Sequence, residues 1–193
     1  MKRPLILAVA ILSFVFVNSA SAGVITAVFF GPDSDFEIDL QVTNDPSSTS
    51  DIVSLVLDGG TATAFPVLWD DAGSAIDPAG ATSGISGENS QKLTINFADS
   101  PDGFNPTDFF QLIGMDPDGD PGPAGVTVGQ LIGVTLTATF RDHSVFVGRF
   151  VDDPSEAGGL TLEGAQVPEP VSLSLLGAGM AAFALRRRNR SSN

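Results

Sequence analysis

The sequence contains no cysteine and no tyrosine, and it has one histidine, His143. Without cysteine the chain has no disulfide, zinc–thiolate or iron–sulfur site and no cysteine nucleophile. A single histidine also excludes a multi-histidine metal site within one chain. His143 lies between Asp142 and Ser144. Because sequence neighbours point to different sides, this run predicts a tight turn rather than a catalytic triad.

Positive charge is also scarce, and most of it lies at the two ends of the chain. Six of the nine Lys and Arg residues are terminal: Lys2, Arg3, Arg186, Arg187, Arg188 and Arg190. The body between them, residues 23–166, has 22 acidic and 3 basic residues, a net charge of −19. Such a charge repels nucleic acid and attracts divalent cations, so we expect no nucleic-acid partner. The body has the length of one domain with its own core.

The N-terminus has the three parts of a secretory signal peptide. Residues 2–3 are basic, residues 5–17 are apolar, and Ala20-Ser21-Ala22 supplies the small side chains that signal peptidase accepts. The sequence therefore predicts a signal peptide over residues 1–22, with Ala20 and Ala22 defining cleavage after Ala22. The exported chain would begin at Gly23.

The C-terminus, residues 167–193, has the order of a sorting tail. Pro168-Glu169-Pro170 is followed by the apolar stretch Val171–Leu185 and then by the basic cluster Arg186, Arg187, Arg188 and Arg190. As a helix, this 15-residue stretch would reach about 22 Å, short of the ~30 Å hydrocarbon core. We expect a marginal transmembrane helix whose arginines stay cytoplasmic.

This tail resembles the PEP-CTERM sorting domain, because Pro168, Glu169 and Pro170 match its motif and the helix and basic end follow in order. The resemblance implies recognition by an exosortase, a membrane cysteine transpeptidase of Gram-negative bacteria that make extracellular polysaccharide. The motif would be the processing site of a substrate, not a catalytic site. It also implies transient anchoring in the inner membrane, followed by transfer to the cell envelope or the extracellular space.

The body shows apolar residues at every second position, which predicts β-strands. Phe36–Thr43 is the clearest case, and other predicted strands are Val24–Phe30, Ile52–Leu57, Lys92–Phe97, Phe109–Ile113, Val134–Arg141, Val145–Val151 and Leu160–Leu162. Residues 70–91 and 99–126, rich in Gly, Pro, Ser and Asp, predict two long loops. The pattern predicts an all-β, jelly-roll-like antiparallel sandwich of about eight strands, with an open meander as the alternative.

One acidic run in the body is a candidate metal site. Asp116, Asp118 and Asp120 alternate around a glycine, and their carboxylates would converge on Ca²⁺ if the chain curled there. Pro121 and Thr127 occupy positions where an EF-hand needs Gly and Glu, so this is not an EF-hand. The alternative is a solvated acidic turn. The single tryptophan, Trp69, is interpreted as a core residue rather than a sugar-stacking platform.

Together these features predict an exported envelope or matrix protein that is structural or binding and not an enzyme. One alternative is a secreted carbohydrate-binding module or polysaccharide hydrolase, for which the many carboxylates leave room. Another is a calcium-stabilised adhesin or matrix scaffold. The expected partners are signal peptidase, exosortase, the membrane and extracellular polysaccharide.

Overall fold

The computed structural model describes residues 23–31, 37–100, 102–123, 125–155 and 158–167. The predicted signal peptide, the sorting motif, the apolar segment and the arginine cluster lie outside the described residues. None of the helices in the described ranges has the length and apolar character needed to cross a bilayer.

The described part of the chain is built from β-strands, as the alternating pattern predicts. They are β1 Ile25–Phe30, β2 Ile38–Asn44, β3 Ile52–Asp58, β4 Val67–Asp71, β5 Ser74–Ile76, β6 Gly84–Ser86, β7 Lys92–Asn96, β8 Phe109–Gly119, β9 Thr135–Phe140, β10 Val145–Asp152 and β11 Leu160–Val167. Two single turns of 3-10 helix, Gly59–Thr61 and Val128–Leu131, join them.

The strands form one antiparallel sheet rather than two separate layers. Its order is β4-β8-β2-β1-β11-β10-β9-β3-β7-β6, and β5 lies beside β8. The sheet curls into a half-barrel. The all-β antiparallel prediction is confirmed, whereas the arrangement as a two-sheet sandwich is not the one observed. Alternation specifies which face of each strand is buried, and that condition is met equally by two packed sheets and by one sheet curled on itself.

Aromatic contacts show how far the sheet curls. Phe97, just after β7, lies near one edge of the sheet, and Phe110 on β8 lies near the other. Their ring centroids are nevertheless only 5.2 Å apart. Trp69 on the edge strand β4 also donates its backbone N–H to the carbonyl of Ser90, at 2.9 Å. The concave face therefore encloses its own core.

Two predicted loops contain strands. Residues 70–91 include β5 and β6, and β8 continues through residues 114–119 instead of ending at Ile113. Pro117 is buried within β8 opposite Trp69. A proline is tolerated there because β2 pairs with β8 only as far as Met115, so at Pro117 one side of β8 has no ladder partner among the described residues.

Candidate functional site

The three carboxylates predicted to bind calcium lie on or just after β8. Asp116 pairs with Asp71 and Asp118 with Leu68 in the β4–β8 ladder, so the chain is extended here and does not curl as predicted. The Asp118 carboxylate accepts a hydrogen bond from the Gly125 backbone N–H. The Asp120 carboxylate accepts one from Gln91 Nε2, at 3.0 Å.

Within the described ranges, no group of three or more His, Asp or Glu residues is arranged to hold a metal ion. Asp118 and Asp120 instead tie β8 to neighbouring segments through Gly125 and Gln91. The calcium site at Asp116, Asp118 and Asp120 therefore stays a prediction that the geometry does not support.

Asp116 lies in a strongly negative environment. Its pKa is raised, first by partial burial and then by the negative charges of Asp118, Asp70, Asp71 and Glu37. The folded protein therefore holds a proton on Asp116 at a higher pH than the unfolded chain does. The stability that Asp116 contributes rises as the pH falls through this raised pKa, and at neutral pH its ionised form opposes folding.

Replacing Asp116 with asparagine should raise the Tm at pH 7 by a small amount, on the order of 1–2 °C for an exposed charge. The difference from wild type should shrink as the pH falls from 7 towards 4, because a growing fraction of wild-type Asp116 is then protonated and uncharged as well. Thermal melts at pH 7, 5 and 4 measure this. Asp152→Asn on β10 controls for the general loss of one negative charge, and an equal gain in both variants would contradict the local effect.

The predicted turn at Asp142-His143-Ser144 is confirmed. His143 has a φ of 69°, and its N–H donates to the carbonyl of Phe140 at 2.9 Å, which closes the β9–β10 hairpin. Asp142 Oδ1 accepts hydrogen bonds from the Ser144 N–H at 3.0 Å and from the Ser144 hydroxyl at 2.7 Å. The Asp142 and Ser144 side chains are thus hydrogen-bonded to each other and stabilise the turn.

A patch of exposed apolar side chains lies on the outer face of the sheet. It consists of Phe109 and Ile113 on β8 and Ile76 on β5, which are 46%, 38% and 42% exposed. Ile76 pairs with Gln111, the residue midway between the other two, so all three share one face. We call Phe109, Ile113 and Ile76 the outer patch.

Uncharged polar side chains adjoin the outer patch. Gln41 on β2 pairs directly with Gln111, and Thr43 pairs directly with Phe109. All three polar residues are half-buried on the outer face. The surface therefore combines an exposed aromatic ring, aliphatic groups and side-chain amides on adjacent strands.

The sequence contained part of the signal for this surface. Phe109, Gln111 and Ile113 alternate with the buried Phe110 and Leu112, so apolar residues face both sides of β8. Ile76 could not be placed from sequence because its segment was interpreted as a loop.

The last strand of the chain, β11, leads into the C-terminal tail. Its last residue, Val167, pairs with Val145 at the start of β10. A family model matches residues 166–188, directly at and after this strand end. The match is to the PEP-CTERM protein-sorting motif. The predicted resemblance is confirmed for the tail, and the PEP-CTERM match overlaps the β-sheet body only at Gln166 and Val167, the last two residues of β11.

The PEP-CTERM motif indicates an exosortase-sorted, exported protein that passes through the membrane on its way to the cell surface. A comparison with curated proteins found no match to the chain, and a comparison with solved structures found none either. The role of the body must therefore be argued from its own residues.

Proposed function

We propose that this protein is a non-enzymatic structural or binding component of the cell envelope or extracellular matrix. In this proposal signal peptidase removes residues 1–22, and an exosortase then processes the tail at Pro168-Glu169-Pro170. The observation that carries the proposal is the PEP-CTERM motif at residues 166–188, which begins at the end of the last strand of a folded, acidic β-sheet body.

The arrangement of the Asp142, His143 and Ser144 side chains argues against a hydrolase with a Ser-His-Asp triad. His143, the only histidine in the sequence, is exposed in a tight hairpin turn, and the adjacent carboxylate of Asp142 bonds Ser144. In a triad, that carboxylate would instead orient the histidine. Release of reducing sugars from polysaccharide by the purified protein would contradict this part of the proposal.

A specific observation favours binding over a purely structural role. The outer patch exposes large apolar side chains that a soluble protein normally buries, and amides adjoin them. Aromatic rings pack on the C–H face of sugar rings, and glutamine amides both donate and accept hydrogen bonds with hydroxyl groups. The surface therefore suits extracellular polysaccharide of neutral charge, since the −19 body repels an anionic polymer.

Replacing Phe109 and Ile113 together with alanine should weaken binding to neutral polysaccharide by about tenfold, equivalent to the loss of ~1.4 kcal/mol of contact. Affinity electrophoresis of the purified body in polysaccharide gels measures the change. Val56→Ala, a half-buried outer-face residue of β3, is the matched control.

Three outcomes separate the possibilities. Loss of binding in the double variant alone, with its Tm unchanged, supports the outer patch as the binding face. Equal binding in both variants places the polysaccharide elsewhere on the body. A wild-type protein that binds no polysaccharide favours the structural role.

A further inference from the structure

The sorting motif and the β-sheet share residues. The PEP-CTERM match begins at Gln166, and both Gln166 and Val167 are still paired in β11, opposite Phe146 and Val145 of β10. A backbone that is hydrogen-bonded in a sheet cannot offer the same N–H and C=O groups to another protein on that side. We propose that residues 165–167 form a binding segment for which β10 and the sorting enzyme compete, so that β11 must open at its end before the tail is processed.

The end of β11 is held on one side only. Among the described residues, β1 pairs with β11 at Leu160 and Thr161, whereas residues 162–167 pair with β10 alone. Glu163, Gly164 and Ala165 are exposed. A segment with one ladder neighbour and few buried side chains opens at a lower free energy than the whole domain unfolds.

Close packing at Gly164 sets the point beyond which the separation of β11 from β10 does not extend. A Cβ added there would lie 2.6 Å from the ring of Phe146 and 2.6 Å from the Gly148 Cα, so ring and backbone occupy the space that a side chain would need. Phe146 is only 5% exposed. On the opposite strand, a Cβ at Gly148 would meet Leu162 at 2.6 Å. These contacts hold β11 in register up to Gly164 and leave residues 165–167 as the part that separates.

This inference rests on the proposed sorting by an exosortase. An extended peptide bound in a protein groove satisfies its backbone groups by pairing with the partner, in the manner of strand addition. Residues 165–167 already have the extended conformation that this requires, and the motif prolines favour its continuation. The enzyme then replaces β10 as the partner of the segment.

The test is a reversible cross-link between the two strands. Val147 and Ala165 are direct cross-strand partners on the outward-facing side, and antiparallel partners have Cα atoms ~4.5–5.5 Å apart, within disulfide range. The sequence has no cysteine, so Val147→Cys with Ala165→Cys creates a single cross-link. In the oxidised full-length protein, the cross-link should raise the free energy of opening the end of β11 by ~1.4 kcal/mol or more. Pulse–chase labelling should therefore show processing slowed by at least about tenfold. Reduction should restore the wild-type rate.

The matched control is Val56→Cys with Thr137→Cys, which cross-links an equivalent antiparallel pair in β3 and β9. It should be processed at the wild-type rate. If the Val147–Ala165 cross-link leaves processing unchanged, the inference is overturned. Sorting itself is tested separately with the Pro168-Glu169-Pro170 variant, which should fail whether or not β11 is locked.

A second variant tests the inference without a cross-link. Val145→Gly weakens β10 opposite Val167 of β11 and also opposite Thr139 of β9, because glycine lowers strand stability by roughly 0.5–1 kcal/mol. Processing should become about twofold to fivefold faster, while the body stays folded with a Tm lowered by only about 1–4 °C. An unchanged or slower rate in a folded variant contradicts the competition between β10 and the enzyme.

Discussion

Replacing Pro168, Glu169 and Pro170 with alanine is expected to leave the chain in the inner membrane with its C-terminal tail uncut. Each proline fixes φ near −65° and biases the preceding residue towards extended backbone, which would keep the helix predicted for Val171–Leu185 from extending into the motif. Alanine removes both restraints and favours helix. Intact-mass measurement and membrane fractionation should show an uncut tail and almost no surface protein.

A matched control separates loss of the motif from a general effect on the tail. Ser172→Ala with Ser174→Ala changes two nearby residues of the apolar segment and leaves the motif intact. This variant should be processed and sorted as the wild type is. If instead the alanine-substituted motif yields the wild-type C-terminal mass and location, Pro168-Glu169-Pro170 is not what the enzyme recognises.

Replacing Trp69 with alanine should destabilise the body by about 3–5 kcal/mol, the usual cost of removing a large buried aromatic side chain. The Trp69 side chain is fully buried, and its ring stacks on Phe29 with centroids 6.4 Å apart. Its Nε1 also donates to the carbonyl of Gln91 at 3.1 Å. Urea unfolding followed by circular dichroism measures the loss.

Trp69→Phe serves as the control because it keeps an aromatic ring in the same space. It removes the indole N–H, but the Gln91 carbonyl still accepts the Gly59 N–H at 2.7 Å and is not left unpaired. We therefore expect a loss of only about 1–2 kcal/mol. Equal losses in both variants would mean that ring volume does not explain the role of Trp69 in joining β4 to the segment before β7.

The local structure of the body followed closely from the sequence. Apolar alternation located β2, β7 and β9 because a half-buried strand needs one apolar and one polar side, and β3 and β10 were predicted as further strand segments. The turn at Asp142-His143-Ser144 was also predicted from the sequence, since short polar side chains form hydrogen bonds with the nearby backbone and tolerate a positive φ. Trp69 was expected in the core and lies there.

The sequence did not predict β5, β6 or the second half of β8. β5 and β6 have three residues each, and their Gly and Ser residues give no recognisable alternation of apolar and polar side chains. The continuation of β8 through Asp116, Pro117 and Asp118 contradicts local strand propensity. It forms because β4 supplies backbone partners and Trp69 lies directly opposite Pro117, a tertiary contact that no local pattern contains.

The sorting of this protein was predicted from short stretches of its linear sequence, because signal peptidases and sorting enzymes recognise short segments of their substrates. The PEP-CTERM motif at residues 166–188 could therefore be identified without a fold, and the signal peptide over residues 1–22 stays a prediction. Tertiary structure alone decided that one sheet curls on itself and that Phe109, Ile113 and Ile76 form one surface. It also decided that Gln166 and Val167 belong to a strand as well as to the motif. Each of these depends on which distant strands pair, and pairing is selected by the packing of the whole core rather than by any local sequence.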